Sequence, residues 1–181
     1  MYNQFKRQSV AALMISLSTV SFVGAQALET DKKLSLPEIS TQFASTAIKQ
    51  MKAGDLTQAQ FTLEKALVAN PKNADVLVAL GEVHEAQGRV GKGLKYYRQA
   101  LMVEPTLKKA LKMQALAFLK KDLPVNAEMS KEKLHVACAG ACEELAFVST
   151  AITAYKAKKE AELMAAKDEL KKEAAKEVKE D

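Results

Sequence analysis

An internal repeat constrains this 181-residue chain more than any other feature. Pro71 and Pro105 stand 34 residues apart, and the same shift lays Gly54 on Gly88, Ala59 on Gly93, Leu63 on Tyr97 and Ala66-Leu67 on Ala100-Leu101. Self-similarity at that period marks an array of helix-turn-helix units, each leaving an apolar face for its neighbour to cover. Ala47, Ala59, Gly81 and Gly93 are small enough to let two antiparallel helices cross closely, while Leu63, Leu77, Leu80 and Tyr97 fill the space around the crossing. Gly54-Asp55 and Gly88-Arg89 supply the tight breaks within each pair, because glycine accepts the left-handed geometry that ends a helix. Asn70-Pro71 and Glu104-Pro105 end the second helix of each pair, since a residue before proline is pushed out of helical torsions.

Residues 74–107 read Leu77-x2-Leu80-Gly81-x2-His84, then Gly93-x3-Tyr97, then Pro105. This resembles the tetratricopeptide repeat, with Leu for its Trp, His for its Tyr and Gly for its Ala. Residues 40–73 are a looser copy through Phe43, Ala47, Ala59, Leu63 and Pro71. A third unit, 108–141, keeps Leu111, Ala115, Phe118 and Ala127, and Pro124 can open its second helix, but Lys131 replaces the large apolar residue and Ala139 the proline. Leu145, Val148, Ile152 and Tyr155 fall at helical spacing and suit a capping helix over 142–160. The resemblance therefore implies an all-α, right-handed helical solenoid of two clear repeats and one degenerate repeat, closed by that cap. A tail over 161–181, rich in lysine, acid and alanine, is either helical or disordered.

Residues 1–27 read as a secretory signal peptide: Lys6 and Arg7, then an apolar stretch from Ser9 to Gly24 broken by serines, then Ala25-Gln26-Ala27. The stretch is short of the ~20 residues a membrane span needs. Residues 28–39 are a linker. The expected protein is exported, periplasmic in a Gram-negative cell and otherwise secreted, with no stable membrane insertion after cleavage. Loss of Lys6 and Arg7 takes the formal charge from +5 to +3. Dispersed lysines without interleaved aromatics argue against nucleic-acid binding.

Cys138 and Cys142 are the only cysteines. In an oxidising compartment they suit a disulfide, with Gly140 providing the turn between them. Two other readings stay open: a soft-metal site such as Cu(I) with His135, or a thiol exchanger acting on a partner. His84 takes an aromatic place in the repeat and is expected in the core. Neither a catalytic constellation nor a phosphate loop is present, and no enzyme activity, cofactor or resident metal is expected.

The resemblance implies a concave groove lined by the first helix of each pair. Its lining is expected from Thr41, Ala44, Ile48 and Lys52, from Asp75, Val78, Glu82 and Glu85, and from Lys109, Lys112, Leu116 and Lys120, with Asp75 and Lys109 able to neutralise each other. Family members that bind chaperones grip a terminal carboxylate with Lys and Asn at two of these places. Ala44 and Ile48 stand there instead, so that clamp is not expected. The functional expectation is an exported module or scaffold that binds a peptide or protein segment in the groove, in envelope complex assembly. The alternative is a thiol-redox or copper-handling accessory using Cys138 and Cys142.

Overall fold

A computed structural model describes residues 33–180, with side chains to residue 172. The expected signal peptide and most of the linker lie outside the described residues. Among those described there are seven helices and no strand: α1 (Leu36–Lys52), α2 (Leu56–Ala69), α3 (Ala74–Ala86), α4 (Val90–Val103), α5 (Lys108–Lys120), α6 (Pro124–Ala137) and α7 (Glu143–Glu180). The all-α repeat fold expected from the sequence is the one observed.

Local chemistry sets most helix ends. Ser35 and Glu38 form a reciprocal capping box at the start of α1, with Pro37 in its first turn. Asp55 caps α2 through the Gln58 amide at 3.0 Å, and Asn73 caps α3 through the Val76 amide at 3.2 Å. Gly54 and Gly88 close the turns within the first two pairs at φ +82° and +76°. In the third pair Asp122, 34 residues beyond Gly88, takes the same left-handed conformation at φ +59°. Aspartate is one of the few side chains that tolerate it, so the turn survives although the glycine does not. The proline period also runs one step further back than Pro71, to Pro37. There it opens α1, which therefore starts inside the expected linker.

The helices form three antiparallel pairs, α1 with α2, α3 with α4 and α5 with α6. The middle first helix, α3, also touches α1, α2 and α5. Ala47, Gly81 and Ala115 are buried at equivalent places on the first helices, and Ala59, Gly93 and Ala127 on the second. A Cβ at Gly81 would overlap the Tyr97 ring, and one at Gly93 would lie 2.9 Å from Glu85 Cγ and 3.0 Å from the Gly81 carbonyl oxygen. A side chain at Gly81 would therefore displace the Tyr97 ring, and one at Gly93 would require Glu85 and the Gly81 carbonyl to give by a few tenths of an ångström.

The third repeat repairs its irregularities in three ways. Lys131, which cannot be buried, pairs with Glu128 at 2.5 Å on the surface. Ser130 turns inward instead, its hydroxyl 3.1 Å from Gln114 Oε1 in a buried contact. Finally, α7 seals the open end by burying Val148 and Ile152 against Leu111, Ala115 and Leu134. Beyond Lys159 the same helix continues as a projecting rod whose described side chains are all exposed.

Gly81→Ala should lower unfolding stability by about 1–3 kcal/mol, because Tyr97 is fully buried and has no room to retreat. Urea denaturation reads this directly. An unchanged midpoint would contradict the close crossing.

Candidate functional site

The first helices α1, α3 and α5 form one wall, and the residues expected to line its groove do not all reach it. Thr41, Ala44 and Ile48 of α1, Asp75 of α3 and Lys109 of α5 surround a depression of about 320 Å³, together with Ser45, Asn73 and Ala79. Leu116 and Lys120 of α5 line a second depression of about 500 Å³, shared with Phe147, Ala151, Ala154, Tyr155 and Lys158 of α7. Lys52 is exposed and Lys112 half-buried, and neither lines either depression. Lys112 lies with Nζ 5.2 Å from the centre of the Phe147 ring.

Two of the expected lining residues are core residues. Val78 has no exposed surface and packs with Leu94, Tyr97 and Ala110. As the middle first helix, α3 has neighbours on both flanks, so positions that are open on a terminal helix are covered here. Glu85 is buried as well. Its carboxylate accepts a hydrogen bond from the Tyr97 hydroxyl at 2.6 Å and meets Lys120 Nζ at 2.5 Å. Burial, and then the bond to Glu85, push the Tyr97 phenol pKa upward, so it remains a proton donor throughout the working pH range. Glu82, one turn from Glu85, stays at the surface and binds Lys109 at 3.0 Å. Lys109 thus pairs with Glu82 and not with Asp75, as the sequence had suggested, which leaves the Asp75 carboxylate on the wall of the first depression. The two ion pairs, Glu82–Lys109 and Glu85–Lys120, fasten α3 to α5 and so fix the wall between the depressions.

A polar contact sets the α1 side of the same wall. Asn73 Nδ2 donates to the buried Ser40 hydroxyl at 3.0 Å while its Oδ1 caps α3, so one side chain joins the first repeat to the start of the second. Sequence periodicity could not reveal this, because Ser40 and Asn73 have no counterparts in the other repeats. The α7 lining was also missed. Phe147 lies beside the capping stripe, and Tyr155, expected in that stripe, lines the second depression instead of joining Leu145, Val148 and Ile152 in the core. His84 lies in the core, as its place in the repeat suggested, and stacks on Tyr96 at 5.1 Å. Burial, followed by the nearby Arg89 and Lys92 charges, lowers its pKa.

Cys138 and Cys142 are joined across the α6–α7 junction with their Cα atoms 5.6 Å apart. The junction residues Ala139 and Gly140 adopt φ +50° and +103°. Glu144 brings a carboxylate oxygen within 4.8 Å of both sulfurs, whereas His135, the ligand suggested by sequence, is outside that group. While the sulfurs are bonded to each other, neither offers a thiolate to a metal. The described residues contain no helix long and apolar enough to cross a membrane.

Residues 50–117 match the family model of the tetratricopeptide repeat. Over those residues, from the end of α1 into α5, the chain is tetratricopeptide repeat. No curated relative matches it at a significant level. Among solved structures, the Yersinia enterocolitica type III secretion translocator chaperone SycD aligns with a TM-score of 0.62 at 21% identity, covering 71% of this chain and 90% of that one. The same chaperone in complex with a peptide of the translocator YopD aligns at 0.59 and 22%, covering 66% and 93%. The first tetratricopeptide domain of Spaghetti (RPAP3), bound to the HSP90 peptide SRMEEVD, aligns at 0.58 and 15%, covering 66% and 99%. At these identities the likeness is one of fold.

Replacing both Cys138 and Cys142 with Ala should cost about 2 kcal/mol, the chain-entropy value for so short a loop. Thermal unfolding in the absence of reductant should record a midpoint several degrees lower. A double variant that melts like the parent would show that the α6–α7 junction needs no bridge.

Proposed function

We propose that this chain is an exported, non-enzymatic interaction module that holds a peptide or helical segment of a partner protein against the α1–α3–α5 wall. The observation that carries this reading is the pair of depressions on that wall. One has the polar side chains of Thr41, Asn73 and Asp75, and the other is largely apolar, with lysines at its rim. A segment with apolar anchors and an acidic flank fits the second depression, where Lys158 at the rim makes only an exposed 3.8 Å pair with Glu162 one turn along its own helix. The two peptide-bound neighbours described above support a peptide as the type of occupant. Export rests on the basic start, apolar stretch and small-residue site of residues 1–27, and fits a role in assembling envelope complexes.

The test begins with a partner recovered from the envelope fraction and uses calorimetry with purified components. Ile48→Glu and Phe147→Glu alter side chains that are 45% and 56% exposed, so helicity should be unchanged. Each should weaken the partner about tenfold or more, the scale of one lost apolar anchor. Unchanged affinity in both variants would overturn the groove reading. Intact-mass analysis of the exported protein should find residues 1–27 removed, and retention of Met1 would contradict cleavage.

A further inference from the structure

The face opposite in character to the wall is the edge where second helices end and the next first helices begin. Leu67, Pro71, Leu77, Gln99, Met102 and Val103 line a notch of about 340 Å³ there. Adding 34 to each number gives Leu101, Pro105, Leu111, Lys133, Val136 and Ala137, which together with Thr106 line a second notch, also of about 340 Å³. The repeat has therefore duplicated an apolar notch. The residues that would be covered are exposed in register, with Val68, Met102 and Val136 standing 34 residues apart at 86%, 83% and 71% exposure.

This edge also holds lysines without a carboxylate partner, as other parts of the surface do. Lys109, Lys120, Lys131, Lys156 and Lys159 all have carboxylate partners. Lys72 beside Pro71, Lys108 beyond Pro105, and Lys133 within the second notch have none among the described residues. Glu104 is the acid on the same edge. Overall, residues 33–159 hold 19 lysines and arginines against 12 acids, formally +7.

The far half of α7 has the complementary character. Residues 160–181 hold eight acids and five lysines, formally −3. The dipeptide Glu-Leu occurs twice, at Glu162-Leu163 and Glu169-Leu170, with both leucines on the exposed rod. Seven helical residues rise about 10.5 Å. The notches repeat with the 34-residue unit, so they follow one another along the edge. Two leucines two turns apart on one rod thus match two notches on one edge in number. The rod cannot reach the notches of its own chain. Tyr155 and Lys159 hold α7 to Asp122, in the turn between α5 and α6 at the opposite edge, and the helix leaves the body from there.

We propose that the free half of α7 docks on the notched edge of a second copy of this chain, with Leu163 and Leu170 in the two notches and Glu169 toward the unpaired lysines. Rod and notches lie at opposite edges, so the contact is head-to-tail. Sedimentation velocity of the purified chain tests it. Mass should rise with concentration at low ionic strength and fall back toward monomer as salt screens the charges. Leu163→Gln/Leu170→Gln and Met102→Gln/Val136→Gln alter exposed positions, and each pair should weaken self-association at least tenfold. Mixing the two variants should restore a single strong junction, because each retains the half that the other lacks. A parent that stays monomeric at all concentrations would overturn the proposal. So would a notch variant that associates like the parent, which would mean the rods pair with each other, or a mixture that fails to associate.

Discussion

The stack depends on one crossing, where Tyr97 of α4 fills the space left by the absent side chain of Gly81 on α3. That contact brings the phenol hydroxyl to Glu85, whose side chain is only 4% exposed. A carboxylate so deep in a protein is costly unless its charge is paired and its lone pairs are met. Tyr97 meets one requirement and Lys120 of α5 the other. Gly81, Tyr97, Glu85 and Lys120 thus form a chain of dependence running through the second repeat into the third. Side chains at Gly81 and Gly93 would push the helices apart, and that separation would leave Glu85 without its donor.

The third repeat shows how an array tolerates divergence at its end. With no fourth repeat to cover it, its outer face is free to adopt other solutions. A Ser–Gln contact sits where a large apolar residue stood, an aspartate takes the left-handed turn, and a bridged junction stands in place of the proline stop. These changes let α7 lie along α5 as well as α6. The consequence for function is a wall with an extra helix at one end, which adds Phe147 and Tyr155 to a surface otherwise made only by first helices.

Much of this fold was legible because repeat spacing is a property of sequence. The small residues at the crossings, the glycine turns, His84 in the core and the capping stripe all follow from periodicity. The site was less legible, for a physical reason: periodicity assigns a residue to a face of its helix but does not say how many neighbours that face meets. Val78 and Glu85 share the groove side of α3 with Asp75 and Glu82, yet the first two are covered because α3 has a helix on each flank and a phenol beneath it. The pairing of Lys109 with Glu82, where the period offered Asp75, has a related reason. Asp75 and Lys109 are equivalent by period, but a lysine reaches the carboxylate its rotamer can meet, and that is Glu82. Pro37 and Asp122 belong to the period too, and were masked by the extra turn of α1 and the change of residue type.

Glu82 and Glu85 are the same residue type, one turn apart on the same helix, and both are bound to a lysine of α5. The first belongs to the surface of the wall and the second to the core that holds the wall together. The unfolding free energies of Glu82→Lys and Glu85→Lys, measured separately by denaturant titration, test that division most directly. Glu82→Lys should change stability by no more than about 1 kcal/mol, as an exposed pair does. Glu85→Lys should cost about 3–5 kcal/mol, because it leaves a buried charge facing Lys120 with no partner. Equal and small losses in the two variants would contradict the role assigned to Glu85.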